Sequence, residues 1–95
     1  MLEKKIDKLI DSITPALFNA GEKVPTDYNE LYKIVSNAVQ VVKINYDLYT
    51  NYNMSRSIND GVNDFCMYCY HFNIPMYVMI DNIVLINAIV QEIIQ

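Results

Sequence analysis

Residues 74–94 read IPMYVMIDNIVLINAIVQEII and predict a helix that is apolar on nearly every side. Only a few polar residues interrupt the run: Asp81, Asn82, Asn87, Gln91 and Glu92. A helix that is apolar almost all round is either buried on several sides or lies in lipid. In a chain of only 95 residues, this pattern predicts that the segment packs against a partner as well as against its own core.

The charge is distributed unevenly along the chain. Residues 1–56 hold seven basic and seven acidic groups, which cancel, whereas residues 57–95 hold four acids and no base, so the net charge is −4. The basic surface that DNA- and RNA-binding proteins use to neutralise phosphates is missing. Four acids in the tail are also too sparse to imitate DNA, so direct nucleic-acid binding is not expected.

The composition predicts one all-α domain over residues 1–95. The chain is 53% hydrophobic and 19% charged, compared with about 25% charged residues in typical soluble domains. Its length suits one core and is too short for two. Two glycines and three prolines leave little room for hairpin turns, which disfavours an all-β fold.

We expect a cytoplasmic protein, from the first turn, the 74–94 segment and the cysteine content. The first turn, LEKKIDK, is not followed by an apolar region, so no signal peptide is expected. Asp81 and Asn82 in the first half of the 74–94 segment disfavour insertion into a membrane. Two cysteines in a chain without a secretion signal favour free thiols in a reducing compartment.

Hydrophobic periodicity predicts four main helices, the first of which is interrupted or bent. One apolar face covers the N-terminal segment up to Ile13. Thr14 and Pro15 then predict a cap and a short second helix over 15–20, with a single helix kinked at Pro15 as the alternative. Gly21 is a plausible stop.

The remaining boundaries follow from capping residues. Asp27 or Thr26 caps a long helix from Tyr28 to about Tyr52, and Ser55 or Ser57 caps the third helix. Gly61 inside the third helix predicts close approach of another helix, because glycine otherwise destabilises a helix interior. Asn73 can end that helix in the left-handed conformation, and Pro75 opens the fourth helix.

The fourth helix predicts an oligomer interface. It carries a seam with 3-4-3-4-3 spacing, formed by Met76, Met79, Ile83, Ile86, Val90 and Ile93. An intramolecular bundle needs only one broad apolar face, and further apolar sides remain. We therefore expect a homodimer in which this seam, aided by the second helix, forms the interface.

Two clusters in the third helix have residue types that bind metals. Cys66 and Cys69, followed by His71, have the C-x-x-C spacing of zinc and dithiol sites. Their predicted position in mid-helix, with Cys69 on the apolar stripe, favours cysteines of the core. Asp60 and Asp64 share a helix face and could bind Mg²⁺, but an acidic first turn favoured by the helix dipole is the simpler interpretation. No metal or cofactor is expected.

Tyrosine and asparagine residues are the candidates for recognition of a protein partner. Tyrosine combines a large apolar ring with a polar tip, which suits interfaces. The candidate partner-binding residues are Tyr52, Tyr68, Tyr70, Asn51 and Asn53.

We therefore expect a small non-enzymatic protein–protein interaction module that self-associates through its C-terminal helix. No Ser-His-Asp or Cys-His relay is evident. The abundance of Ile, Asn, Tyr and Lys is typical of AT-rich genomes and fits a phage or mobile-element accessory protein that inhibits a host defence factor. The alternative is a small-ligand or metal protein, which binds either a nucleotide with Mg²⁺ or zinc through the C-x-x-C motif.

Overall fold

The computed structural model describes residues 1–95, which form helices and connecting turns without a strand. Five helices follow in order: α1 (Leu2–Phe18), α2 (Tyr28–Asn51), α3 (Ile58–His71), α4 (Met76–Asp81) and α5 (Ile83–Ile94). The predicted all-α bundle is confirmed, and its four main helices are α1, α2, α3 and α5. Helices α4 and α5 together occupy the segment predicted as one fourth helix.

Pro15 does not divide the first helix. Helix α1 continues through Pro15 to Phe18, so the predicted separate helix over 15–20 is wrong and the single-helix alternative is correct. Proline removes one helical hydrogen bond. Ile13 and Leu17 on either side of it are fully buried, and their packing holds this turn in place.

Side-chain caps begin α2 and α3 where the sequence predicts them. The Asp27 side chain accepts a hydrogen bond from the Glu30 amide at 3.1 Å. Ser57 and Asp60 form a reciprocal capping box at the start of α3. After α3, Asn73 adopts the left-handed conformation with φ of 69°. The predicted roles of Asp27, Ser57 and Asn73 are confirmed.

Asn82 separates α4 from α5. Its side-chain amide donates to the Val78 carbonyl at 2.8 Å, while its backbone N–H bonds to the Met79 carbonyl at 3.1 Å. The side chain thus donates to the Val78 carbonyl in place of the backbone N–H that donates to it in a regular helix, a competition typical of asparagine. The Ser12 hydroxyl of α1 donates to the Asn82 side-chain oxygen, which ties the break to α1.

The core consists of 21 hydrophobic residues drawn from every helix, and no polar or charged residue is buried. Helix α5 packs against α1, α2 and α3. The helix that is apolar almost all round is therefore buried on three sides by its own chain. Gly61 permits this packing, because a Cβ atom there would lie 2.7 Å from Cγ1 of Val90 and 3.3 Å from Cγ1 of Val42.

Helix α2 is longer than the core that it supports. Its buried residues end at Val42, and none of residues 43–51 is buried. The molecule accordingly measures 43 × 25 × 21 Å. None of the helices combines the length and the apolar composition needed to cross a bilayer.

Candidate functional site

The seam predicted as the oligomer interface lies inside the single chain. Met79, Ile86 and Val90 are fully buried. Met76, Ile83 and Ile93 are half-buried and pack against the same core. A buried side chain cannot contact a second copy, so Met79, Ile86 and Val90 stabilise the fold itself.

Helices α4 and α5 expose a different set of apolar side chains. Tyr77, Ile80 and Val84 are 56%, 58% and 76% exposed, respectively. We call these three residues the outer stripe. It is the side of the α4–α5 segment that the bundle leaves uncovered.

The predicted recognition residues lie at two separate places. Asn51, Tyr52 and Asn53 are exposed at the C-terminal end of α2. Tyr68 packs against the core and lines a hollow with Asn37, in the first half of α2. At about 1.5 Å per residue, Asn37 and Tyr52 are about 22 Å apart along the helix. The five residues therefore do not form one patch.

Apolar side chains surround Tyr52 at the end of α2. Leu48, Tyr49, Tyr52 and Met54 line a hollow of about 230 Å³, and no other residue contributes to it. Leu48 is 48% exposed, Tyr52 71% and Met54 56%. We call these four residues the corner patch, because they lie where the chain turns from α2 into α3.

The corner patch rests on a fixed support. The Arg56 guanidinium lies over the Tyr49 ring, 4.4 Å from its centroid. Arg56 also pairs with Asp64 of α3, and Asp64 accepts a hydrogen bond from Asn45 of α2 at 3.1 Å. Only 12% of the Arg56 side chain is exposed. This chain of contacts joins α2 to α3 beneath the patch.

The turn itself adds backbone support. Asn53 adopts the left-handed conformation with φ of 56°, and the Met54 amide donates to the Tyr49 carbonyl at 2.9 Å. Asp60 in the first turn of α3 is exposed and interacts electrostatically with Arg56. The corner patch thus combines an apolar centre with a backbone that the turn holds in place.

Sequence reasoning identified Tyr52 but missed Leu48 and Met54. Leu48 continues the apolar stripe of α2, and a stripe predicts burial. Leu48 is nevertheless 48% exposed, which no local pattern indicates. The sequence signal that remains is the run of Tyr, Asn and Met just before the cap Ser57.

Cys66 and Cys69 are both free and buried. Burial, with a smaller effect from neighbouring Cys66, raises the pKa of the Cys69 thiol to about 12. Burial also raises the pKa of the Cys66 thiol. His71 is exposed, and no group of three or more His, Cys, Asp or Glu side chains is placed to hold a metal ion. The interpretation of these cysteines as core residues is confirmed.

Asp60 and Asp64 have separate partners. Asp60 accepts from the Ser57 amide at 3.0 Å in the capping box, and this bond, with that from the Ser57 hydroxyl, lowers the pKa of the Asp60 carboxyl. Asp64 is engaged by Arg56 and Asn45. Each carboxylate has a structural role within the chain.

Comparison with protein-family models, with curated protein sequences and with solved structures yields no match.

Proposed function

We propose that this protein is a non-enzymatic interaction module that binds a protein partner through the corner patch. The observation that carries the proposal is the exposure of Leu48, Tyr52 and Met54 around one hollow. Aromatic residues and methionine are enriched in protein interfaces. Exposed apolar clusters on soluble proteins commonly mark interaction sites.

The fixed support favours tight binding. Ordering flexible side chains on association costs about 0.5–1.5 kcal/mol for each chain immobilised. Tyr49 is already held by Arg56, and Arg56 is held by Asp64. Tyr49 and Arg56 are therefore already ordered before a partner binds.

The surroundings indicate the chemistry of the partner. An apolar or aromatic side chain of the partner would fill the hollow of about 230 Å³. The protein carries a net charge of −4, so basic residues around that anchor would be favoured by charge complementarity.

Co-purification from the native host, followed by identification of the bound protein, tests this proposal. Binding is then measured with the purified partner and with Tyr52→Ser and Met54→Ser variants. Loss of a central aromatic contact costs about 2 kcal/mol or more, which corresponds to about 30-fold weaker binding. Phe18→Ser is the matched control, because Phe18 is a 67% exposed aromatic residue of α1.

The outcomes distinguish the surfaces. Weaker binding by the two corner variants and unchanged binding by Phe18→Ser support the proposal. Equal binding by all variants contradicts it and places the interface elsewhere.

The hypothesis of a phage or mobile-element inhibitor is a specific form of this proposal. It predicts that the partner is a host factor whose activity falls when the protein is added. A Tyr52→Ser variant that no longer binds would leave that activity intact. Full inhibition by this variant would separate inhibition from the corner patch.

The metal and Mg²⁺–nucleotide alternative has less support, because the two thiols are buried and each carboxylate has a partner within the chain. Metal analysis of protein purified without chelators tests it. One zinc ion per chain or per two chains would favour the alternative.

A further inference from the structure

Two adjoining hollows lie where the loop between α1 and α2 faces the turn between α3 and α4. One has a volume of about 370 Å³ and includes Tyr70 and Pro75 in its wall. The other has a volume of about 290 Å³ and includes Lys33, Asn37 and Phe72. Lys23, His71 and Asn73 line both hollows. We call the two hollows together the turn groove.

The turn groove collects positive charge in an acidic protein. Lys23, Lys33 and His71 line it, whereas Glu30 is its only acid. Neither lysine takes part in any of the three ion pairs of the chain. Their charges are thus free for an anionic ligand, and lysine is a common partner of phosphate.

Aromatic rings line the hollow that contains Lys33. The Tyr68 and Phe72 rings lie 4.8 Å apart between centroids and are tilted by 37°. Tyr68 packs against the core, which fixes this ring pair, and Phe72 is 46% exposed. A flat ligand can therefore stack on Phe72 without displacing a core residue. Aromatic side chains commonly serve as stacking platforms for nucleic-acid bases.

Polar side chains beside Phe72 supply hydrogen bonds. Asn37 and Asn73 can each donate and accept through their amides. Glu30 can accept hydrogen bonds from an amino group or from sugar hydroxyls. The turn holds Asn73 in place, because the backbone N–H of Asn73 donates to the backbone carbonyl of Tyr70 at 3.1 Å.

We propose that the turn groove binds a nucleotide. The base stacks on Phe72, with Asn37 and Glu30 at its edge, and the phosphate lies between Lys23 and His71, where the two hollows meet. Lys33 adds a second ammonium group to the same hollow. This site is separate from the corner patch, and its binding does not depend on the proposed protein partner.

Adenosine monophosphate is a suitable probe, with adenosine and inorganic phosphate as the two half-ligands. Titration is followed by nuclear magnetic resonance of the Phe72 ring and the His71 imidazole. We expect saturable shifts with the monophosphate and weaker binding of both half-ligands. Lys23→Gln and His71→Gln should each weaken binding about tenfold, the effect of losing one charge-assisted hydrogen bond.

Lys43→Gln is the matched control, because Lys43 is an exposed lysine of α2 that does not line the groove. Phe72→Leu keeps an apolar side chain but removes the ring, and we expect it to weaken both the monophosphate and adenosine. Each altered residue is exposed, and an unchanged melting temperature checks that the variants are folded.

Several results would overturn the inference. One is the absence of a saturable shift up to about 10 mM monophosphate, where even weak binding is detectable. If adenosine binds as tightly as the monophosphate, Lys23 and His71 do not bind the phosphate. Inorganic phosphate binding equally well would remove the role of Phe72. None of these results bears on the corner patch, which Tyr52→Ser tests independently.

Discussion

Gly61 lies where α3, α5 and α2 approach most closely. A Cβ atom there would lie 2.7 Å from a methyl group of Val90, which is itself fully buried. Alanine raises helix propensity by about 1 kcal/mol relative to glycine, whereas overpacking a core costs about 1–3 kcal/mol. We expect Gly61→Ala to destabilise the protein by about 1 kcal/mol in urea unfolding.

Asn63→Ala is the control for Gly61→Ala, because Asn63 is exposed in the same helix. This substitution changes helix propensity without changing the packing of the core. The Gly61→Ala/Val90→Ala double variant should lose less stability than the sum of the two single variants. The shorter side chain at position 90 leaves room for the added Cβ atom at position 61. A Gly61→Ala variant more stable than the parent would show that the close approach is not a constraint.

The two cysteines give a prediction about reactivity. The thiolate is the reactive form of cysteine, and burial raises the pKa of the Cys69 thiol to about 12. At about pH 8, where an ordinary thiol is partly ionised, we expect both cysteines to react slowly with a disulfide reagent in the folded protein. The reaction should be fast in concentrated urea.

An added exposed thiol calibrates this experiment. Asn51 is exposed at the end of α2, so Asn51→Cys should react quickly at the same pH. Rapid reaction of Cys66 and Cys69 in the folded protein would contradict their burial.

At the level of helices, the capping box of α3 links stability to pH. Hydrogen bonds from the Ser57 amide and hydroxyl lower the pKa of Asp60 below its ordinary value of 3.8. A carboxyl whose pKa is lowered by folding stabilises the protein fully above its unfolded pKa. That contribution is lost as the pH falls through the lowered pKa of the folded state.

Melting temperatures of the parent protein and Asp60→Asn between about pH 7 and pH 2 test this linkage. The parent should melt higher at neutral pH, and the difference should shrink as the pH falls below about 4. Asp47→Asn is the control, because Asp47 is an exposed acid that accepts no side-chain hydrogen bond. A difference independent of pH would contradict the role of the Asp60 carboxylate.

The C-terminal part of α2 extends beyond the core. Residues 43–51 contribute no buried side chain, whereas Leu31 and Val42 are almost fully buried. Amide exchange is faster where a helix opens locally. We expect residues 43–51 to exchange faster than residues 31–42, as measured by hydrogen exchange.

Arg56 limits this opening through Tyr49 and Asp64. Arg56→Ala should therefore accelerate exchange in residues 43–51 more than in residues 31–42. Lys43→Ala removes a charge from the same helix without either contact and serves as the control. Uniform acceleration along α2 would show that Arg56 acts on global stability alone.

At the level of the whole molecule, we propose that the protein self-associates through the outer stripe. Three of the six side chains of the predicted seam are fully buried, so a second copy would contact Tyr77, Ile80 and Val84. Stable dimers bury at least about 1,000 Å², and three side chains supply only part of that area. We expect weak, concentration-dependent association in sedimentation experiments.

Ile80→Ser with Val84→Ser should abolish that association and leave the melting temperature nearly unchanged. Ile86→Ala is the contrasting variant, because Ile86 is fully buried. It should lower stability by about 2–5 kcal/mol. A parent protein that stays monomeric at all concentrations would contradict self-association.

The sequence by itself determined the helical class and several boundaries. Asp27, Ser57 and Asn73 act through neighbours within a few residues, so their roles follow from local hydrogen bonding. The role of Gly61 also followed from the sequence. Glycine destabilises a helix interior, so its presence there indicates close packing against another helix. The break at Asn82 was missed, because the choice between the backbone and the side chain for the Val78 carbonyl is made together with the contact to Ser12.

Only the tertiary structure decided which apolar faces are covered. Periodicity identifies a face but not its neighbour, so the seam of α5 and the end of α2 gave the same signal. Helices α1, α2 and α3 surround α5 and bury Ile86 and Val90 of its seam, whereas Leu48, Tyr52 and Met54 of the corner patch remain exposed. Likewise, Lys23, Lys33 and His71 come from three separate segments, and only the folding of the chain brings them to one groove.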